Sequence, residues 1–282
     1  MNYRHAFHAG SFADVVKHAV LARIITHLRE KPTPFRIIDT HAGAGSTRLS
    51  GPEASRTGEW REGIGRVVDA EFPPEIRVLL APYLDCVTKF NENGRLMVYP
   101  GSPLIALALL RPQDRLLACE LVPGIAGRLR RSLDRDRRAK VITIDGWTGL
   151  DAYVPPKERR GLALIDPPFE AQDEFSRIVQ HLVHAHRKWP TGIYLVWYPI
   201  KNLAEPHQFA RTMAKHGIAK MLRAELMTTS RESKSLNGTG LLLINPPWKL
   251  ASELGVLLPA LAQVLRKDET AGSRVDWLTK ET

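Results

Sequence analysis

The sequence predicts an α/β protein with a mostly parallel central sheet and a small helical insert. Three observations carry that expectation. Short apolar runs of about four to eight residues alternate with longer stretches whose apolar residues recur at helical spacing. The first such run leads into a glycine-rich turn, Gly43 and Gly45, and a later one ends in Asp166-Pro167-Pro168-Phe169. Several runs end on an acid, as expected where strand ends face a ligand crevice in an open α/β sheet.

At 282 residues the chain is long enough for one large domain with an insert. Residues 1–49 and 95–282 are expected to form the main domain and residues 50–94 a helical insertion. The net charge of +10 suits a polyanionic partner. The excess is concentrated, because residues 128–140 hold seven Lys or Arg against Asp134 and Asp136, and Lys157, Arg159 and Arg160 add to it. A solvated helix face explains either cluster alone, but both clusters together with a basic amino terminus favour nucleic acid. Cys86 and Cys119 lack metal-ligand spacing and read as reduced, buried thiols. Residues 1–10 have no apolar core of a signal peptide. No run approaches the roughly 18 apolar residues of a membrane span. A cytoplasmic, monomeric protein is expected.

Residues 2–9 interleave Tyr3 and Phe7 with Arg4, His5 and His8, groups that can stack on bases and meet phosphates. Tyr3 and Arg4 are the expected RNA contacts of this segment. His5 and His8 lack the further ligands of a zinc set, so no metal is expected. Ser11 and Asp14 resemble a capping box at the start of a helix whose stripe is Val16, Val20, Ile24 and Leu28, ending at Lys31-Pro32. Lys17 and His18 read as ordinary surface residues on this helix.

Residues 35–38 form a strand running into Asp39-Thr-His-Ala-Gly-Ala-Gly45. Gly43 and Gly45 let backbone pass close to a ligand, and Asp39 can hydrogen-bond polar groups of that ligand. A dinucleotide loop wants a third glycine where Arg48 stands, so the turn suits a nucleoside cofactor without pyrophosphate, such as S-adenosylmethionine, better than NAD. Residues 57–70 and 74–90 read as helices of the insert. The acid expected about 20 residues beyond the glycines comes much later, as Glu120 after a strand at 115–119. Tyr99-Pro-Gly-Ser-Pro103 closes the insert and starts an apolar helix at 104–110. A basic helix at 123–133 leads to a strand at 140–144, ended by Asp145-Gly146. Glu120 is placed to hold ribose hydroxyls and Asp145 to accept from an adenine amino group, although either acid alone could be a helix cap. Helices follow at 173–189, 204–216 and 251–265. Strands are expected at 192–198, 221–227, 239–244 and 274–278. Arg231 and Lys234 in the loop at 228–238 are possible RNA contacts.

The sequence Asp166-Pro-Pro-Phe169 suits attack by an exocyclic amino group of a nucleobase. That nitrogen is a poor nucleophile, because its lone pair is delocalised into the ring. Asp166 and the Pro167 carbonyl can accept its hydrogens and favour a pyramidal geometry, while Phe169 offers a flat face to a base removed from its stack. Asn245-Pro-Pro-Trp248 imitates the pattern with amide for acid. The order of glycine turn, Glu120, Asp145 and Asp166 makes the first motif the active one and the second a structural turn.

That order resembles the γ-type amino-methyltransferases. More closely, YRHAFHAG, ADVVKH, DTHAGAG, YPGSPLIA, RRGLALIDPPFE, TGIYLVWYP and INPPWKL resemble the bacterial family that methylates N6 of an adenine in 23S ribosomal RNA, across nearly the whole chain. The resemblance implies a Rossmann-like class I S-adenosylmethionine-dependent methyltransferase fold. It implies cofactor contacts at Lys17, His18, His41, Ser102, Glu120, Asp145 and Gly146, a catalytic acceptor at Asp166, and RNA contact at Tyr3. Phe169 stands where Tyr is common in the family, which keeps the stacking face and loses a hydroxyl. Methylation of DNA adenine or of a glutamine side chain, a non-catalytic RNA-binding module and an NAD(P) oxidoreductase are the alternatives. Arg48 and the lack of a hydride-transfer partner disfavour the last.

Overall fold

A computed structural model describes residues 5–91, 94–230 and 236–280. After a 3-10 turn at His5–Phe7, the chain forms α1 (Phe12–Arg29), β1 (Arg36–Asp39), β2 (Ser46–Arg48) and α2 (Pro52–Thr57). A π-helical turn, Arg61–Gly65, leads to α3 (Arg66–Asp69), α4 (Pro74–Lys89) and β3 (Val98–Pro100). Then follow α5 (Ser102–Leu109), β4 (Arg115–Glu120), α6 (Pro123–Ser132), β5 (Ala139–Thr143), α7 (Gly146–Tyr153) and β6 (Gly161–Ile165). The remainder is α8 (Glu174–Lys188), β7 (Ile193–Ile200), α9 (Ala204–Ala214), β8 (Met221–Met227), β9 (Gly238–Ile244), α10 (Leu250–Leu265) and β10 (Gly272–Thr279).

Eight strands form one sheet in the order β10-β8-β9-β7-β6-β1-β4-β5. From β5 through β7 the neighbours are parallel, while β9 runs antiparallel to β7 and β8, and β10 antiparallel to β8. This is the mostly parallel Rossmann-like architecture that the sequence implies. The inner strands β6 and β7 read as unbroken apolar runs because both of their faces are covered. Leu162 and Leu164 of β6 pack on the α1, α4, α5 and α10 side, whereas Ala163 and Ile165 pack on the α7, α8 and α9 side. Each Leu or Ile so enclosed contributes roughly 1.5–3 kcal/mol.

The structure corrects the surface reading of α1. The helix is buried nearly all round, because α4, α5 and α10 pack over it. Lys17 and His18 are only 4% and 1% exposed. Ser11 occupies the N-cap without a side-chain bond, and Asp14 instead accepts from the Gly10 N–H at 3.0 Å. On either side of the segment expected as an insert, β2 and β3 pair antiparallel, which no sequence signal announced. The helices of that segment share the core of α1, with Ile64, Leu80 and Tyr83 fully buried. Both cysteines are free and buried, and desolvation pushes the thiols up, Cys86 to about 11 and Cys119 to about 12. Among the described residues no helix is long and apolar enough to cross a membrane.

Candidate active site

The chain leaves β1 toward β4 on one side and returns to β6 on the other. The carboxyl ends of β1 and β6 therefore flank the point where strand order reverses, the usual crevice of such sheets. Asp145, Glu120, Asp39 and Asp166 stand in that spatial order along one edge, at or just beyond the ends of β5, β4, β1 and β6. Asn245 follows β9, which runs the opposite way. Strand polarity thus carries the imitation motif to the far edge of the sheet, where the Asn245 amide donates to the Pro190 and Gly192 carbonyls at 2.7 and 2.9 Å.

Two cavities open at the active edge. The first, of ≈ 400 Å³, is lined by Lys17, His18, His41, Gly43, Ser102, Glu120, Asp145, Gly146 and Asp166. The expected cofactor residues are therefore gathered in one place, with one exception. Asp39 is 1% exposed and does not face the cavity. Its carboxylate accepts from Ser102 Oγ (2.6 Å) and the His41 N–H (3.3 Å), so it props two wall residues from behind. Burial pushes that carboxyl up to about 7 against the opposing Ser102 hydrogen bond.

Glycine is required at the floor of this cavity. Gly43 and Gly45 have φ of +64° and +84°, and a Cβ on Gly146 would lie 2.4 Å from the Thr40 carbonyl oxygen and 2.6 Å from His41 Nε2. Glu120 accepts from the Gly43 N–H (3.1 Å) and the Val122 N–H (2.8 Å), which leaves each oxygen a further lone pair. Asp145 caps α7 through the Thr148 N–H at 3.0 Å using one oxygen. The cap reading and the ligand reading of this acid are thus compatible.

His41 is neutral, because desolvation pushes its imidazole down to about 4. Thr40 Oγ1 gives its one hydrogen to the Leu164 carbonyl (2.9 Å), so His41 Nδ1, 2.8 Å away, is the donor to that hydroxyl and Nε2 is an acceptor. Sequence reasoning missed the apolar walls. Leu121 is 49% exposed beside Glu120, and Ile125 and Trp147 complete a flat-sided slot. It also missed Tyr99, which stacks on His18 and hydrogen-bonds its Nδ1 at 2.8 Å. Trp147 directly follows Asp145-Gly146, and that adjacency was the available signal. Apolar walls with carboxylate, hydroxyl and imidazole acceptors match a nucleoside.

The second cavity, of ≈ 710 Å³, is lined by Phe12, Phe169, Trp197, Lys201, Lys267 and His8 among others. It shares Lys17, Asp166, Pro168 and Glu170 with the first, so the two chambers meet at Asp166. Lys17 Nζ donates to Asp14 Oδ1 (2.8 Å) and Asp166 Oδ2 (2.5 Å). Burial opposes its charge, but the two carboxylates prevail and raise the ammonium above the ordinary lysine range. Phe169 sits at φ +50° with its ring edge-on to Phe175 and Trp197, at 5.1 and 5.6 Å. Pro167 is buried and lines neither cavity, which departs from the expected use of its carbonyl. Tyr3, Arg4, Arg231 and Lys234 lie outside the described residues. Among the described residues no group of His, Cys, Asp or Glu could hold a metal ion.

A family model described as "Ribosomal RNA large subunit methyltransferase D, RlmJ" matches residues 32–279. Over the full length of both chains, the sequence is 40% identical to Ribosomal RNA large subunit methyltransferase J of Escherichia coli (strain K12). It is 39% identical to the protein of the same name from Haemophilus influenzae, again over 100% of both chains. Among solved structures it is similar to protein LPL1258 of Legionella pneumophila, with TM-score 0.88 and 35% identity, covering 95% of this chain and 98% of that one.

Proposed function

Because the chain belongs to the family of large-subunit ribosomal RNA methyltransferases, we propose that it methylates the exocyclic N6 amino group of an adenine in 23S ribosomal RNA, using S-adenosylmethionine. The relatives' names speak for ribosomal RNA and for methyl transfer. The single observation that carries the reading is the junction of two chambers at Asp166, one suited to a nucleoside and one floored by aromatic side chains.

The cofactor would be held in the first chamber, by Glu120 at ribose hydroxyls, Asp145 at the adenine amino group, and His41, Ser102 and the glycine turn around them. When bound, S-adenosylmethionine supplies a methyl group already activated on a sulfonium. The protein then has mainly to orient, and well-placed reactants recover on the order of 7–11 kcal/mol of barrier. The target adenine would enter the second chamber with Phe169 against its ring. Asp166 accepts a hydrogen of the amino group and stabilises the positive charge that develops on nitrogen. Lys17 fixes Asp166 by holding one of its oxygens, leaving the other for the substrate. This work belongs in the cytoplasm, where ribosomal RNA is assembled.

The test is transfer of tritium from labelled cofactor to 23S ribosomal RNA isolated from cells lacking the enzyme, followed by nucleoside analysis. Label in N6-methyladenosine is expected. Label confined to another nucleoside, to DNA or to protein would refute the assignment.

A further inference from the structure

Three arginines line a groove beside the glycine turn: Arg48 from β2, and Arg128 and Arg131 from α6. The groove encloses ≈ 470 Å³ and shares Ala44, Ser46 and Thr47 with the cofactor chamber. None of the three guanidiniums has a hydrogen-bond or ion-pair partner among the described residues. Arg138 and Arg266, by contrast, are paired with Asp136 (2.7 Å) and Glu269 (3.3 Å). Glu53, the one carboxylate in the lining, is engaged in an interaction of its own. Three arginines thus face a cleft whose lining holds a single carboxylate, in a chain that already carries +10. Such a cluster is relieved by an anion, and the guanidinium fork matches phosphate oxygens.

The neighbouring amino-terminal segment links this groove to the chamber proposed for the base. Ala6 lines the groove and His8 lines the chamber. Two residues of extended chain place their Cα atoms no more than about 7 Å apart. A single RNA strand can therefore reach both. We infer that Arg48, Arg128 and Arg131 form a phosphodiester-binding groove for the RNA strand flanking the nucleotide that enters the chamber. The inference rests on the RNA-methylation reading above. It adds the track along which the substrate lies.

The test is RNA binding and methyl transfer by the full-length triple variant Arg48→Ala/Arg128→Ala/Arg131→Ala, at several salt concentrations. All three side chains are exposed, and the triple lysine variant serves as the control that keeps the charge. The alanine variant is expected to lose roughly one unit of the log affinity against log salt slope per arginine. Its KM for RNA should rise at least tenfold, with cofactor affinity unchanged by calorimetry, and the lysine variant should restore most of the slope. An unchanged slope and KM in the alanine variant would overturn the inference. So would saturable binding of inorganic phosphate that the variant loses while its RNA binding is intact. Failure of the wild-type protein to label RNA at all would instead refute the methylation reading itself.

Discussion

Lys17 Nζ lies 2.5 Å from Asp166 Oδ2 and 2.8 Å from Asp14 Oδ1, so one buried ammonium spans the joint between the two chambers. Removing it leaves two carboxylates close together, with no other side chain among the described residues bonded to the Asp166 carboxylate. Lys17→Met is expected to reduce methyl transfer by roughly 10²-fold or more, the scale on which misplacement of a reacting group is felt. It should also destabilise the fold by about 3–5 kcal/mol through the uncompensated charges. Single-turnover transfer and denaturant unfolding check the two parts.

Phe169 is held edge-on by Phe175 and Trp197 at φ +50°. If its remaining surface receives the base, Phe169→Ala should weaken RNA binding in the productive pose by about 1–3 kcal/mol, the scale of one base–aromatic contact. Phe169→Tyr should stay close to the wild type. The measurement is kcat/KM for RNA.

Asn245 has φ +52° and its amide ties the Pro190 and Gly192 carbonyls together at the inactive edge of the sheet. Asn245→Ala should lower stability by about 2 kcal/mol, from lost hydrogen bonds and left-handed backbone strain. Methyl transfer per folded molecule should be unchanged. Asn245→Gly should recover the backbone part of the loss.

Asp39 and His41 make opposite contributions to stability against pH. The Asp39 carboxyl is raised in the native state from 3.8 to about 7, by burial first. Its contribution is full below pH 3.8 and is lost as pH rises through about 7. The His41 imidazole is lowered from 6.5 to about 4 by desolvation, so its contribution is full above pH 6.5 and is lost as pH falls through about 4. Between these limits the unfolded chain binds more protons at His41 and fewer at Asp39, and the two slopes oppose each other. Asp39→Asn should therefore make stability rise more steeply with pH between about 4 and 6.5, and His41→Gln should make it fall, each by at most ~1.4 kcal/mol per pH unit. Urea unfolding across that range measures both.

The middle of the sheet was legible because strands such as β6 and β9 bury both faces and so read as nearly unbroken apolar runs, unlike the edge strands β5 and β10. Runs such as 161–165 and 239–244 cannot be mistaken for solvated structure. The acids were legible for a related reason, since a carboxylate directly after such a run must stand at the sheet edge. What that logic could not supply was direction. Asn245 and Asp166 follow equally apolar runs, and only the antiparallel pairing of β9 with β7 carries Asn245 to the far edge. Burial of Lys17 was likewise hidden, because it depends on α4, α5 and α10 covering the outer side of α1. Asp39 looked like a ligand for the same reason as Glu120, yet it ends facing Ser102 and His41 from behind the cavity wall. The short β2–β3 pairing joins segments some fifty residues apart, and three-residue strands leave no periodicity to read.

The most direct test of the account is Asp166→Ala, with cofactor affinity by calorimetry and methyl transfer to 23S ribosomal RNA measured on the same folded preparation. Asp166 touches both chambers. The expected result is an affinity within a few-fold of the wild type and no detectable transfer. Turnover near the wild-type rate in a folded Asp166→Ala protein would contradict it.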